Sequence, residues 1–261
     1  MKAWQWERLD PAQRFFTTVA GAGVQELLTR TRYLNRLTLS DINLTGAKLG
    51  QADLSETWLA GAHLDRADLR KANLEGAKLM GASLWKANLS WVEATGADMR
   101  LCRLDGADLT EAVLVNVRLT SADLHGAIIM RAEMTGANLE GAKLAEAILE
   151  SAELQGANLR IADCREAALP MADLRGADLR GAVLAEADLR GADLHGARLD
   201  GAKLHGAKFS ASDVDDQGVP LKSALSRRTA APPPSMTELL EASWQVIFVE
   251  GREVARATVQ P

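Results

Sequence analysis

From Leu37 to Val214 the chain repeats every five residues, and the register does not slip. Ala stands at one position in five, from Ala47, Ala52 and Ala62 on to Ala207, and Leu follows two residues later, from Leu49, Leu54 and Leu59 on to Leu204. With the Leu position called i, the small residue lies at i−2, while i−1, i+1 and i+2 are polar or Gly. An amphipathic helix needs apolar spacings of three and four, so a strict spacing of five would spiral around its surface. A flat strand needs a period of two, which holds only from i−2 to i. A short extended segment followed by a turn, repeated, keeps i−2 and i facing one axis. The period therefore predicts an all-β solenoid with coils stacked about 4.8 Å apart.

The other positions fit this reading. Sixteen glycines fall at i+2, among them Gly61, Gly76, Gly106 and Gly191, where a turn favours a residue without Cβ. Asp or Asn is common at i−1, where a short polar side chain can bond to nearby backbone. The units Ala52-Asp53-Leu54-Ser55-Glu56 and Ala107-Asp108-Leu109-Thr110-Glu111 resemble the A-(D/N)-L-x-x unit of pentapeptide repeat proteins, and Glu26-Leu27-Leu28 followed by Arg32-Tyr33 resembles the helical lead-in of their bacterial, especially cyanobacterial, members. The resemblance covers about two thirds of the chain. It implies a right-handed quadrilateral β-helix with four pentapeptides per square coil. The 36 units from Leu37 to Ser212 would then make about nine coils, a rod of roughly 43 Å.

Residues 1–36 read as an N-terminal helical cap, opened by the N-cap and Pro of Asp10-Pro11. The repeat occupies 37–216, a Pro-rich linker 217–234, and a small α+β appendage 235–261. The appendage starts with a capping box, Ser235 with Glu238, and continues into a hairpin from Trp244 to Val259. A lone hairpin is marginal in water. It folds back on the rod, joins a second copy to make a homodimer, or adds to a partner's sheet.

Composition limits the classes of function. The apolar residues are periodic, so the Ala-, Leu- and Gly-rich composition does not mean disorder. The net charge of −5 argues against direct nucleic-acid binding. No run of about 18 apolar residues spans a membrane, and Met1 to Asp10 lacks the apolar stretch of a secretory signal. Cys102 and Cys164 fall on inward positions, so a cytoplasmic protein with reduced thiols is expected.

Nothing in the pattern suggests catalysis, a cofactor or a metal. The four histidines fall on outward positions; His63, His125 and His205 share a face but lie several coils apart, too far for one metal. The glycines are spread over turns rather than grouped in a phosphate loop. A packed rod leaves no ligand pocket, and the tail after Asp216 has no His, Cys or Asp. The expected protein is not an enzyme.

A square coil returns to each face every 20 residues, so the outward positions sort by face, named here by Leu39, Leu44, Leu49 and Leu54. On the Leu54 face the i−1 column reads Asp53, Asn73, Glu93, Val113, Glu133, Glu153, Asp173, Asp193, Asp213. Turn chemistry accounts for the Asp residues but not for Glu93, Glu133 and Glu153. On the Leu49 face, Ile128, Ile148 and Ala168 replace the expected Asp or Asn, with Met130, Pro170 and Met171 beside them. Bulky residues around Trp91, Val92, Ala94, Leu101, Val113, Val115 and Val117 suggest a local bulge. The resulting expectation is a scaffold presenting an acidic face and an adjacent apolar patch to an unidentified protein partner. The family resemblance implies one alternative, a DNA mimic acting on an enzyme such as DNA gyrase, although the Phe common at i in such members occurs here only as Phe209.

Overall fold

The computed structural model describes residues 33–210 in full, with the backbone of 247–249 and 252–255. The expected helical cap, the Pro-rich linker, the capping-box helix and Asp213 lie outside the described residues. Among the described residues there is no helix, and so none long and apolar enough to cross a membrane.

Residues 33–210 form a solenoid whose coil is 20 residues long. The i−1 residues pair in parallel with their counterparts 20 residues on, in four ladders; one runs Tyr33, Asp53, Asn73, Glu93, Val113, Glu133, Glu153, Asp173, Asp193. Coil geometry already holds at Tyr33 and the buried Leu34, four residues before the expected start. Leu at i and Ala at i−2 fill the axis: Leu54, Ala62, Leu64 and Ala67 are all fully buried. Cys102 and Cys164 take their places in the same core as free thiols. Burial pushes both thiols up to about 12, and the Cys102 Sγ donates to the Leu79 carbonyl at 3.0 Å.

The backbone hydrogen bonds explain why the unit has five residues and why each position has its residue type. In the unit around Leu54, the i N–H donates to the Asn73 carbonyl of the next coil (2.7 Å) and the Glu56 N–H to Glu75 (2.8 Å). The i−1 N–H bonds backward, as Asn73 does to Ala52 (2.9 Å), and the Thr57 N–H closes the turn on Leu54 (3.2 Å). Four of the five N–H groups are thus paired by backbone. The fifth, at i+1, is served by the i−1 side chain where that residue is Asp or Asn: Ser55 N–H donates to Asp53 Oδ1 (3.1 Å) and Thr110 N–H to Asp108 Oδ1 (3.0 Å). A buried or half-buried N–H needs a partner. Asp and Asn at i−1 are short enough to supply it.

The turns carry a cost that the sequence hides. Every fifth residue from Arg36 to Gly206, the i+2 position, has φ between +50° and +71°. Sixteen are Gly, but nineteen are not, including Trp91, Leu101, Ile161 and Met171. A side chain in this left-handed region costs roughly 1–2 kcal/mol.

The expected bulge is absent. The ladder runs through Asn73, Glu93 and Val113, and Ala94 N–H reaches the Val113 carbonyl at 2.8 Å. Val92 at i−2 and Ala94 at i are both fully buried. The larger residue has moved from i to i−2, which keeps the core filled to within a methylene of the usual Ala–Leu pair.

At the rod's C-terminal end, β1 (Ala207–Phe209) pairs in parallel with β2 (Ile247–Val249), which pairs antiparallel with β3 (Arg252–Ala255). The hairpin backbone therefore adds to the edge of the last coil.

Candidate functional site

The acidic column exists as one ladder, but its members differ. Asp53, Asn73, Asp173 and Asp193 each accept the i+1 N–H of their own turn, at 2.9–3.1 Å. Glu93, Glu133 and Glu153 cap no i+1 N–H of their own turns. All three are exposed. The extra methylene carries the carboxylate past the turn it would cap.

Charge divides the column further. Arg175 forms a two-pronged bond to Asp173 and lies 3.8 Å from Asp193; Gln155 Nε2 also donates to Asp173 (2.7 Å). Burial pushes the Asp173 carboxyl up, but the bonds from Arg175 and Gln155 outweigh it and the net shift is downward. Asp173 and Asp193 are therefore partly neutralised; Glu93, Glu133 and Glu153 cap no turn and form no ion pair among the described residues, although Glu153 feels the charge of Arg175. The Leu44 face behaves differently. Its ladder alternates Arg103, Asp123, Lys143, Asp163, with Lys143 bonded to Asp123 at 3.1 Å.

The Arg175–Asp173 fork is one case of a wider pattern. Positions i−1 and i+1 both point outward, so Asp followed two residues later by Arg folds into a bidentate pair. Asp68–Arg70, Asp98–Arg100, Asp163–Arg165 and Asp188–Arg190 all do so. In each, the Arg hydrogen bonds hold the carboxyl below the usual range. The D-x-R spacing was the available signal.

On the Leu49 face, Ile128, Ile148 and Ala168 form consecutive rungs. Ile148 and Met171 are exposed, while Ile128, Met130 and Pro170 are half-buried. Part of this strip has a structural reason. Pro170 stands at i+1 and has no N–H, so an Asx residue at 168 would have nothing to cap, and Ala168 suffices; Pro also suits the second position of a turn. Ile128 and Ile148 have no such reason, because Met130 and Glu150 keep their N–H groups.

Other exposed apolar residues lie elsewhere on the rod. Trp58, Met80 and Leu101 are 55%, 44% and 62% exposed at one side of the rod. Trp85 is ringed by Arg66, Lys86 and Arg103 at 4.6, 5.0 and 5.4 Å from the ring centre. At a third place Lys71 sits over Trp91, whose Nε1 donates to Glu111 (2.9 Å), itself paired with Arg131 (2.8 Å).

The histidines part company. His63, His125 and His205 are exposed as expected, but His195, read as a surface residue, is 2% exposed with neither ring nitrogen hydrogen-bonded. The outward position does not guarantee exposure at this end of the rod. Among the described residues, no group of three or more His, Cys, Asp or Glu could hold a metal ion.

The family model for pentapeptide repeats matches residues 47–85, 87–126, 132–169 and 172–210. Of solved structures, HetL, a pentapeptide repeat protein involved in heterocyst differentiation regulation from the cyanobacterium Nostoc, is 34% identical, over 70% of this chain and 94% of its own, with a TM-score of 0.31. A pentapeptide repeat protein of the Arabidopsis thaliana thylakoid lumen is 27% identical over 51% and 79% of the two chains, TM-score 0.37. QnrB1, a plasmid-mediated fluoroquinolone resistance protein, is 22% identical over 70% and 84%, TM-score 0.40. No protein of curated function matches the chain.

Proposed function

Because the chain belongs to the pentapeptide repeat family, we propose that it is a non-enzymatic scaffold that presents Glu93, Glu133 and Glu153, with the neighbouring Ile128–Ile148 strip, to a protein partner. One observation carries this reading. These three glutamates stand where the fold wants Asp or Asn, and they leave the i+1 N–H groups of Thr95, Thr135 and Gln155 without the side-chain acceptor that Asp53 gives Ser55. Carboxylates stacked on consecutive rungs also repel, as Glu133 and Glu153 do. Glu133 and Glu153 cost the fold on both counts and Glu93 on the first, and use on the surface explains them.

The rod suits such a role. Its four ladders fix each side chain relative to its neighbours, so little freedom is lost on docking. The test is charge reversal, Glu133→Lys with Glu153→Lys, followed by affinity capture from lysate with identification by mass spectrometry. A partner should disappear from the captured set. An unchanged set would remove the proposal.

A further inference from the structure

Resting on that reading, the geometry points to the chemistry of the partner: a basic amphipathic α-helix that lies along the rod with its apolar stripe on Ile128, Met130, Ile148 and Met171. The argument begins with the apolar strip, which runs parallel to the rod axis with one rung per coil. Across one corner, five residues on, runs the row Glu133, Glu153. Between the two rows stand Met130 and Arg131, Glu150 and Ser151, Pro170 and Met171. Arg131, the cation among them, is already held by Glu111 at 2.8 Å. On this side the strip borders the carboxylates of Glu133 and Glu153, while across its other corner Lys143 and Arg165 are already held by Asp123 (3.1 Å) and Asp163 (2.6 Å); charge complementarity selects a cationic partner.

Spacing selects its conformation. The rungs repeat at about 4.8 Å. A helix offers one side chain per turn on each stripe, every 5.4 Å, so over three coils the two repeats drift apart by only ~1.2 Å, within reach of a flexible Lys. An extended strand offers same-side residues about 6.6–6.8 Å apart and drifts by ~4 Å over the same distance. Its alternate residues also face away, so it cannot lay two parallel rows on one surface. Adjacent stripes at helical spacing can.

Met171 adds to the case. It is 65% exposed at φ +58° on a corner where Gly is the unstrained choice, with its side chain against Gly191. Strain and apolar exposure coincide beside the strip, and a covering helix would relieve the exposure.

The test uses the full chain and a synthetic helical peptide of about 18 residues, ~27 Å long, with Lys on one stripe and Leu on the next. Controls are a scrambled peptide of the same composition and an extended peptide alternating Lys and Leu. Binding is read by fluorescence anisotropy. The helical peptide should bind, and both Ile128→Asn/Ile148→Asn and Glu133→Asn/Glu153→Asn should weaken it at least tenfold. Asn is the repeat's own residue at these positions, so the fold is kept. Equal binding of the scrambled peptide, or no effect of either double variant, overturns the inference. If the extended peptide binds more tightly and the variants weaken it, the helix is wrong but the docking surface stands. Dimerisation of the unliganded chain that Ile148→Asn abolishes would assign the strip to a second copy and also overturn it.

Discussion

Glu153 and Asp173 occupy successive rungs of one ladder, yet only Asp173 accepts the N–H of its own turn, from Arg175 at 3.1 Å. The same position therefore serves the fold in one coil and is released from it in the next. That difference is a statement about energy, and it can be measured.

Removal of a turn acceptor should cost stability. Asp108 takes both the N–H of Thr110 (3.0 Å) and its hydroxyl (2.6 Å). Asp108→Ala should destabilise by about 1 kcal/mol, the worth of a typical side-chain-to-backbone bond. Glu133→Ala should change the urea midpoint little. An equal loss in both variants would contradict the division of the column.

Backbone strain at the corners makes a second prediction. A Cβ at Gly126 (φ +60°) would meet nothing within 4 Å, so Gly126→Ala introduces strain without a clash and should cost roughly 1–2 kcal/mol. Ile161 (φ +50°, 63% exposed) is the reverse case. Ile161→Gly should stabilise, by less than the full strain because Gly is freer in the unfolded chain. Chemical denaturation of both variants checks this.

The Asp–Arg forks give the stability a pH dependence. Asp98 lies between Arg100 (2.7 Å) and Arg118 (3.4 Å), and the Arg100 hydrogen bond leads in holding its carboxyl below the usual range. An unfolded Asp titrates near 3.9. The forks' contribution is present above that value and is lost as pH falls through the lower folded values. The urea midpoint should therefore hold from pH 7 to about 5 and drop below about 4, and Asp98→Asn should be less stable at pH 7 and flatter below 4.

The thiols should be silent. Burial raises Cys102 and Cys164 to about 12, so neither presents a thiolate at neutral pH. A thiol reagent should label neither in the native chain and both in denaturant. Labelling of either in the native chain would show that the coil opens there.

Much of the fold was legible in the period itself, because a five-residue repeat with Ala and Leu two apart admits so few solutions. Leu54 and Ala62 could be placed in the core, and Gly61 at a turn, from spacing alone. The strained corners could not, since nothing in Arg66, Trp91 or Ile161 marks a left-handed residue; only position does. The acidic ladder was visible as a column, but its electrostatics was not. Arg175 could be counted on that face from the sequence, but its fork onto Asp173 could not be read from the column. His195 was misplaced because the period describes the coil's own packing and carries no sign of burial at an outward position. The pairing of β2 with β1 likewise joins segments some 40 residues apart in a stretch without a repeat.

The account turns on Glu93, Glu133 and Glu153 being kept at a cost to the fold. The most direct measurement is the urea midpoint of Glu93→Asn/Glu133→Asn/Glu153→Asn, read beside partner capture. Each Asn should supply the missing turn acceptor, so stability should rise by about 0.5–1.5 kcal/mol per site while the captured partner is lost. A triple variant less stable than the parent, or one that captures the same proteins, would contradict the account.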